Sequence, residues 1–233
     1  MILKRDRNDR GLTTGSWLTS KHSFSFGRYH DPGNMGFGPL RVINEDWIRP
    51  GTGFGTHGHE NMEIITWVLE GVVSHRDSMG NEVSIGPGEI QLMSAGRGVR
   101  HSEYNASDDT ELHLLQIWIM PNQVNGEPGY QQRQFADGEF HNSFHLLAAP
   151  EGEEQSLSLK QDARIFAGRF DPDVHHVREL NPDRRYWLQV ARGELELNGQ
   201  KGMAGDGFAL EEEHGLELAA LTATELLLFE LPK

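Results

Sequence analysis

The sequence predicts an all-β protein built as two similar β-barrels in tandem, and three observations carry that expectation. Short apolar runs rich in Ile, Val, Leu, Trp and Thr recur along the chain. Gly, Pro, Asn or Asp bounds each of them, as expected of strands separated by turns. The second half then repeats the plan of the first, the mark of a degenerate internal duplication.

The first series consists of "LRVINEDWI" (40–48), "MEIITWVLEG" (62–71), "EIQLMSAG" (89–96) and "ELHLLQIWIM" (111–120). Between them, "DSMGN" (77–81) reads as a hairpin turn, with Gly80-Asn81 supplying positive φ. From about 121 to 160 the chain turns polar and acidic, in "PNQVNGEPGYQQRQF" and "APEGEEQS", and reads as a linker region. "DARIFAGRF" (162–170) fits a strand or a short turn of helix. The second series is "RYWLQVARGELELNG" (185–199), "GFAL" (207–210), "LELAAL" (216–221) and "TELLLFELP" (224–232). Gly193, Gly199 and Gly205-Asp206-Gly207 fall where the first half has its own turn glycines. The expected domains are therefore 1–135 and 136–233. One larger sandwich is the alternative reading.

Composition narrows the function classes. The 233 residues carry 35 acidic against 21 basic side chains, a formal net charge of −14. That balance disfavours non-specific binding to nucleic acid or an anionic membrane. Cysteine is absent, which excludes disulfides, thiol catalysis and zinc-thiolate sites. The N-terminus "MILKRDRNDRGL" lacks the apolar stretch of a secretory signal, and no run approaches the roughly 18 apolar residues of a membrane helix. A cytoplasmic monomer is expected. Any metal must be held by His, Asp or Glu, so the 12 histidines are the place to look.

In a strand, residues i and i+2 share a face. His57 and His59 have that spacing, and so do His101 and Glu103. Two such pairs on neighbouring strands would place three imidazoles and one carboxylate around one ion. That donor set suits Fe(II), Mn(II), Ni(II), Cu(II), Co(II) or Zn(II), with positions left open for catalysis. His22, His30, His75, His141, His145 and His214 lack a partner at ligand spacing, and His175-His176 read as structural or exposed. His113 shares parity with Leu115, Ile117 and Ile119, so it reads as a hydrogen-bonded core residue, with pocket lining as the functional alternative. Glu63 has the parity of His59 and could face the same pocket. By the alignment of Gly193 on Gly71 and Gly205 on Gly88, the second half has Glu179, Asn181, Leu218 and Ala220 in place of the four donors, so one metal per chain is expected.

"HGHENMEIITWVLEG" followed by "GPGEIQLMSAGRGVRHSEYN" resembles the two cupin motifs. "HSFSFGRYHDPGNMGFGPLRVINEDWI", "MSAGRGVRHSEYN" and "LHLLQIWIMP" are further similar to the bacterial pirin family, which includes proteins described as quercetin 2,3-dioxygenases. The resemblance implies a bicupin of two jelly-roll barrels, with the metal in the first. It assigns His57, His59, His101 and Glu103 as ligands and moves Glu63 to supporting one of the imidazoles. It favours Fe(II) and implies a flavonol substrate and O2, with Glu103 taking the proton of the flavonol hydroxyl. A second reading is a non-catalytic metal-binding regulatory protein that acts through a protein partner. A third, a sugar-isomerase-like cupin, lacks the extra polar ligands such sites need.

Overall fold

The computed structural model describes residues 1–136 and 138–233. Strands dominate it; the single helical element among the described residues is a short 3-10 turn, Glu153–Gln155. No helix is long and apolar enough to cross a membrane. Every paired strand named below runs antiparallel to its neighbours, as short hairpin-linked strands with one buried face do.

The chain divides into two compact units. One comprises Gly11–Phe135 with Leu159–Gln161, the other Met1–Arg10, Ala136–Ser158 and Asp162–Lys233. The main internal boundary falls at 135/136. The chain start differs: Ile2–Arg5 pairs with Gly207–Glu211 and so belongs to the C-terminal unit. The expected linker is also more ordered than its composition suggests. Gly129–Gln134 pairs with Glu89–Ser94, and Phe144–Pro150 with Arg164–Phe170. The polar strand Gly129–Gln134 forms one edge of its sheet.

In the N-terminal unit a seven-stranded sheet runs in the order Gly129–Gln134, Glu89–Ser94, Glu63–Glu70, Leu112–Ile119, Leu40–Ile48, Leu18–His22, Gly11–Thr14. A four-stranded sheet, Gly53–His59, Val99–Asn105, Val73–Asp77, Glu82–Ile85, lies across it. The two make a jelly-roll sandwich rather than a barrel closed by hydrogen bonds. At one end Ile48, Val68 and Leu114 of the large sheet pack on Val73 and Ile85 of the small one. Toward the other end the facing side chains become polar, and there the site forms.

The C-terminal unit has the same plan, with the small sheet ordered His175–Glu179, Gly215–Ala220, Glu194–Leu197, Gln200–Met203. An apolar cluster fills its interior: Leu188, Val190 and Phe208 meet Leu195, Leu216, Leu218 and Ala220. The register corrects the sequence alignment. His176 lies opposite Leu218 and Arg178 opposite Leu216, as His57 lies opposite His101 and His59 opposite Val99. His176 and Arg178, not Glu179 and Asn181, therefore stand in place of His57 and His59. The reason is one more paired strand residue, Glu179, with a longer connection to the next strand, residues 180–184 against 60–62. His176 packs on Phe144 and Phe170, and the Arg178 guanidinium lies 4.1 Å over Phe166. Burial, and next the Arg178 charge, hold the His176 pKa below its usual value.

Gly53 controls how closely the strands Gly53–His59 and Val99–Asn105 approach. A Cβ there would stand 2.2 Å from the Glu103 carbonyl oxygen and 2.5 Å from Tyr104 Cα. Backbone cannot swing aside as a side chain can, so Gly53→Ala should force the strands apart beside Glu103. Overpacking of this kind costs about 1–3 kcal/mol, and urea unfolding should register a loss in that range.

Candidate metal centre

The strand Gly53–His59 puts His57 and His59 on one face, and the register with Val99–Asn105 sets His101 directly opposite His57. The three imidazoles converge, with ring centroids 4.5–4.9 Å apart. His57 Nε2 and His101 Nε2 are 3.1 Å apart, and one ligand-type nitrogen of each of the three rings lies within 4.8 Å of the others. His57 Nδ1 donates to the Gly55 carbonyl at 2.8 Å, which leaves its Nε2 lone pair pointing into the cluster. His59 sits edge-on to Trp118 at 5.0 Å.

Electrostatics favour neutral rings. Burial, then the neighbouring imidazoles, lower the His59 pKa to about 4. Burial, then His57 and His75, lower that of His101 to about 3. Neutral imidazole is the form that donates a lone pair to a metal. Three converging imidazole nitrogens beside a carboxylate are a donor set for a divalent transition ion, so these residues fit such an ion.

Glu103 lies in the same cavity as His57 and His59, held by three side chains of the large sheet. Oε2 accepts from Gln116 Nε2 at 2.7 Å. Oε1 lies 3.3 Å from Gln91 Nε2 and 3.2 Å from Thr66 Oγ1. So anchored, Glu103 forms its tight group with His101 and His75, one donor atom of each within 4.8 Å of the others. His75 is thus a site residue that sequence reasoning missed. The available signal was the i, i+2 spacing of His75 and Asp77, a third pair of the same kind.

Two expected site residues lie elsewhere. Glu63 is buried on the opposite face of its strand from Thr66, where its carboxylate accepts from Ser94 Oγ at 2.9 Å and the Lys160 backbone N–H at 3.2 Å. Parity failed because residues 60–62 break the strand, with Asn61 at φ 50°. His113 is likewise on the face opposite Gln116 and Trp118. It stacks on Trp47 at 4.5 Å and bonds Glu45 Oε1 at 3.0 Å, so the pocket-lining alternative does not hold.

Beside the imidazoles opens a cavity of about 610 Å³, within the range of small-molecule sites. Trp17, Phe26, Phe54 and Trp118 give it aromatic walls. Met35 and Phe37, from the loop before Leu40, are not among its lining residues, whereas Phe54 is. A polar wall consists of Ser20, His22, Asn44 and Asp46. His22 Nδ1 lies 2.7 Å from Asn44 Oδ1, and Ser20 Oγ donates to Asp46 Oδ1. None of these four was singled out as a site residue, because a polar residue on one face of a strand gives no sign of what it faces.

The comparisons with known proteins agree with this geometry. Residues 5–119 match the pirin family, and 146–231 match a family described as the quercetinase C-terminal cupin domain. An Escherichia coli protein named quercetin 2,3-dioxygenase is 45% identical over 100% of this chain and 99% of its own length. A pirin-like protein of Caulobacter vibrioides is 37% identical over 99% of each chain. The crystal structure of the E. coli bacterial pirin YhhW in complex with nickel(II) superposes with a TM-score of 0.94 at 45% identity, covering 100% of this chain and 99% of that one. The bicupin architecture expected from the sequence is the one observed.

Asp46 yields a test of the site's electrostatics. Its burial, opposed by the Ser20 hydrogen bond and reinforced by the Glu103 and Glu45 charges, raises its pKa to about 7. A carboxyl raised in the folded state binds a proton there that the unfolded chain has released, so stability falls as pH rises from about 4 to 7. Asp46→Asn removes that dependence. Relative to the wild type, the variant should gain on the order of 2–4 kcal/mol in unfolding free energy between pH 4.5 and 8, read from denaturant titrations at both pH values.

Proposed function

The chain belongs to the pirin family, and from that premise we propose that it is a metal-dependent dioxygenase cleaving a flavonol such as quercetin. The reading takes His57, His59, His101 and Glu103 as the ligands of one mononuclear centre. One observation carries it: His57, His59 and Glu103, with His101 converging on them, border a cavity of about 610 Å³ that has aromatic walls as well as a polar one. A planar polyphenol matches such walls by stacking, and its oxygens would face the imidazole end.

A divalent ion held there would supply Lewis acidity, lowering the pKa of a coordinated substrate hydroxyl. The protein's part is positioning and proton handling. Trp118 and Phe54 exclude water and hold the ring plane beside His59 and His57. Glu103 is the proton acceptor in this reading, because Thr66, Gln91 and Gln116 fix its carboxylate at the cavity wall. A proton arriving on Oε1 displaces a weak bond of 3.2–3.3 Å, while the 2.7 Å bond from Gln116 keeps the group in place. Iron(II) is the ion we favour; nickel(II) is the ion bound in the E. coli relative, and the same donors accept manganese, cobalt, copper or zinc.

Purified protein should contain about one transition metal per chain by elemental analysis, and His101→Ala should lose most of it. Full occupancy in that variant would refute the ligand set. Metal-loaded protein should consume oxygen when given quercetin, and the absence of turnover with every one of these ions would end the proposal. Glu103→Gln should lower the rate by at least about 100-fold, the scale of a lost general base.

A further inference from the structure

Two buried imidazole nitrogens find no hydrogen-bond partner among the described residues: Nδ1 of His75 and Nδ1 of His101. Both side chains are shut off from solvent, at 0% and 1% exposure. An orphaned polar atom at such depth bears its full desolvation cost, so two side by side call for a cause. The rings belong to paired strands, with Glu103 opposite His75 and His101 opposite Asp77. Their centroids are 5.3 Å apart.

Chemistry at the outer edges of the pair fixes the protons. His75 Nε2 lies 3.2 Å from Asp77 Oδ2. An ionised carboxylate only accepts, so Nε2 carries the His75 proton and Nδ1 is left as a lone pair. Asp77 is itself locked by the turn that follows it. Its Oδ1 accepts from the backbone N–H groups of Met79 at 2.8 Å and Asn81 at 3.1 Å, and its Oδ2 from Asn81 Nδ2 at 2.8 Å. On the far side His101 directs Nε2 at the cluster. A ring that gives its Nε2 lone pair to a metal must keep its proton on Nδ1.

We propose that Asp77 and His75 are positioning residues that set the tautomer of His101. Asp77 holds His75 with its Nδ1 lone pair inward, and that lone pair receives the His101 Nδ1–H. A small rotation of the His101 ring or one buried water closes the link. The relay does for His101 what the Gly55 carbonyl does for His57. It gives the 77–81 turn a role at the site, and it rests on the reading of His101 as a ligand.

Nickel(II) affinity of the full chain, measured by chelator competition, tests the relay with two variants. His75→Leu removes the acceptor and should weaken binding about 10–100-fold, the usual cost of losing a partner that orients a ligand. His75→Gln keeps one acceptor and one donor and should recover most of the loss, which a purely packing role would not produce. A further readout needs no variant: in the Zn(II)-loaded wild type, ring nitrogen-15 shifts should place the His101 proton on Nδ1 and the metal on Nε2. Affinity of His75→Leu within twofold of the wild type overturns the relay, as does a His101 metallated through Nδ1. His57→Ala, measured alongside, separates the two readings. If it loses nickel while His75→Leu does not, the relay alone fails; if it keeps nickel at wild-type affinity, the ligand set fails as well.

Discussion

The site depends on one antiparallel pairing, that of Gly53–His59 with Val99–Asn105. It brings His57 and His59 to His101, residues over forty positions apart, and it does so only in one register. A slip by one residue would turn every imidazole to the other face. The register shift between His101 and Glu103 then puts an extra residue on the Gly53–His59 strand, so that Phe54, which lines the cavity, lies opposite Glu103 in place of Gly55. Such irregularities beside a site are a common way of redirecting one side chain without disturbing the rest of a strand.

The C-terminal unit shows what the same frame does without that chemistry. Where the N-terminal unit has Glu103 among Thr66, Gln91 and Gln116, the C-terminal one has Leu218 and Ala220 against Leu188 and Val190. Buried polar groups are tolerated only when their hydrogen bonds are met, and apolar filling avoids that cost. His176 survives at the place of His57, but it packs on phenylalanines, with Arg178 rather than a second imidazole beside it. The duplicated plan therefore fixes the fold in both halves and the donor set in one.

The fold and the two donor pairs, His57 with His59 and His101 with Glu103, were legible in the sequence because each is local. Alternation with period two and glycine punctuation mark strands, and His-x-His within a strand fixes a shared face. What parity could not carry was any relation across a break. Residues 60–62 decoupled Glu63 from His59, and in the second half one more paired strand residue, Glu179, with a connection longer by two residues, displaced the repeat alignment by three. His113 kept its parity with the apolar face and its reading as a hydrogen-bonded residue, and only the pocket-lining alternative fell away. His75 escaped notice for another reason. Its partners lie on the neighbouring strand, and which residue stands opposite another is a property of register that one strand's sequence does not contain. Asp46, Ser20 and Asn44 escaped for the same reason.

The low pKa values of His59 and His101 connect the fold to the chemistry. Packing three imidazoles together in a half-buried pocket makes a proton on His59 or His101 costly, through desolvation first and the neighbouring rings second. The unfolded chain protonates these rings near 6.5, whereas the folded chain resists until about 3 to 4. Folding therefore loses stability as pH falls through that window. Asp46, protonated in the fold up to about 7, works in the opposite direction over an overlapping range, and Glu63, also raised by burial, adds to it. The fold thus offsets part of the acid sensitivity of its own donor cluster with buried carboxyls that prefer to be neutral. In exchange the rings stay deprotonated well below neutral pH, and an ion entering the cluster has fewer protons to displace there. Receptivity to a metal is thus set by burial as well as by ligand identity. The C-terminal unit has burial, but of the two histidines on the corresponding strand, His175 and His176, only His176 stands in the place of a donor, so burial alone cannot make the site.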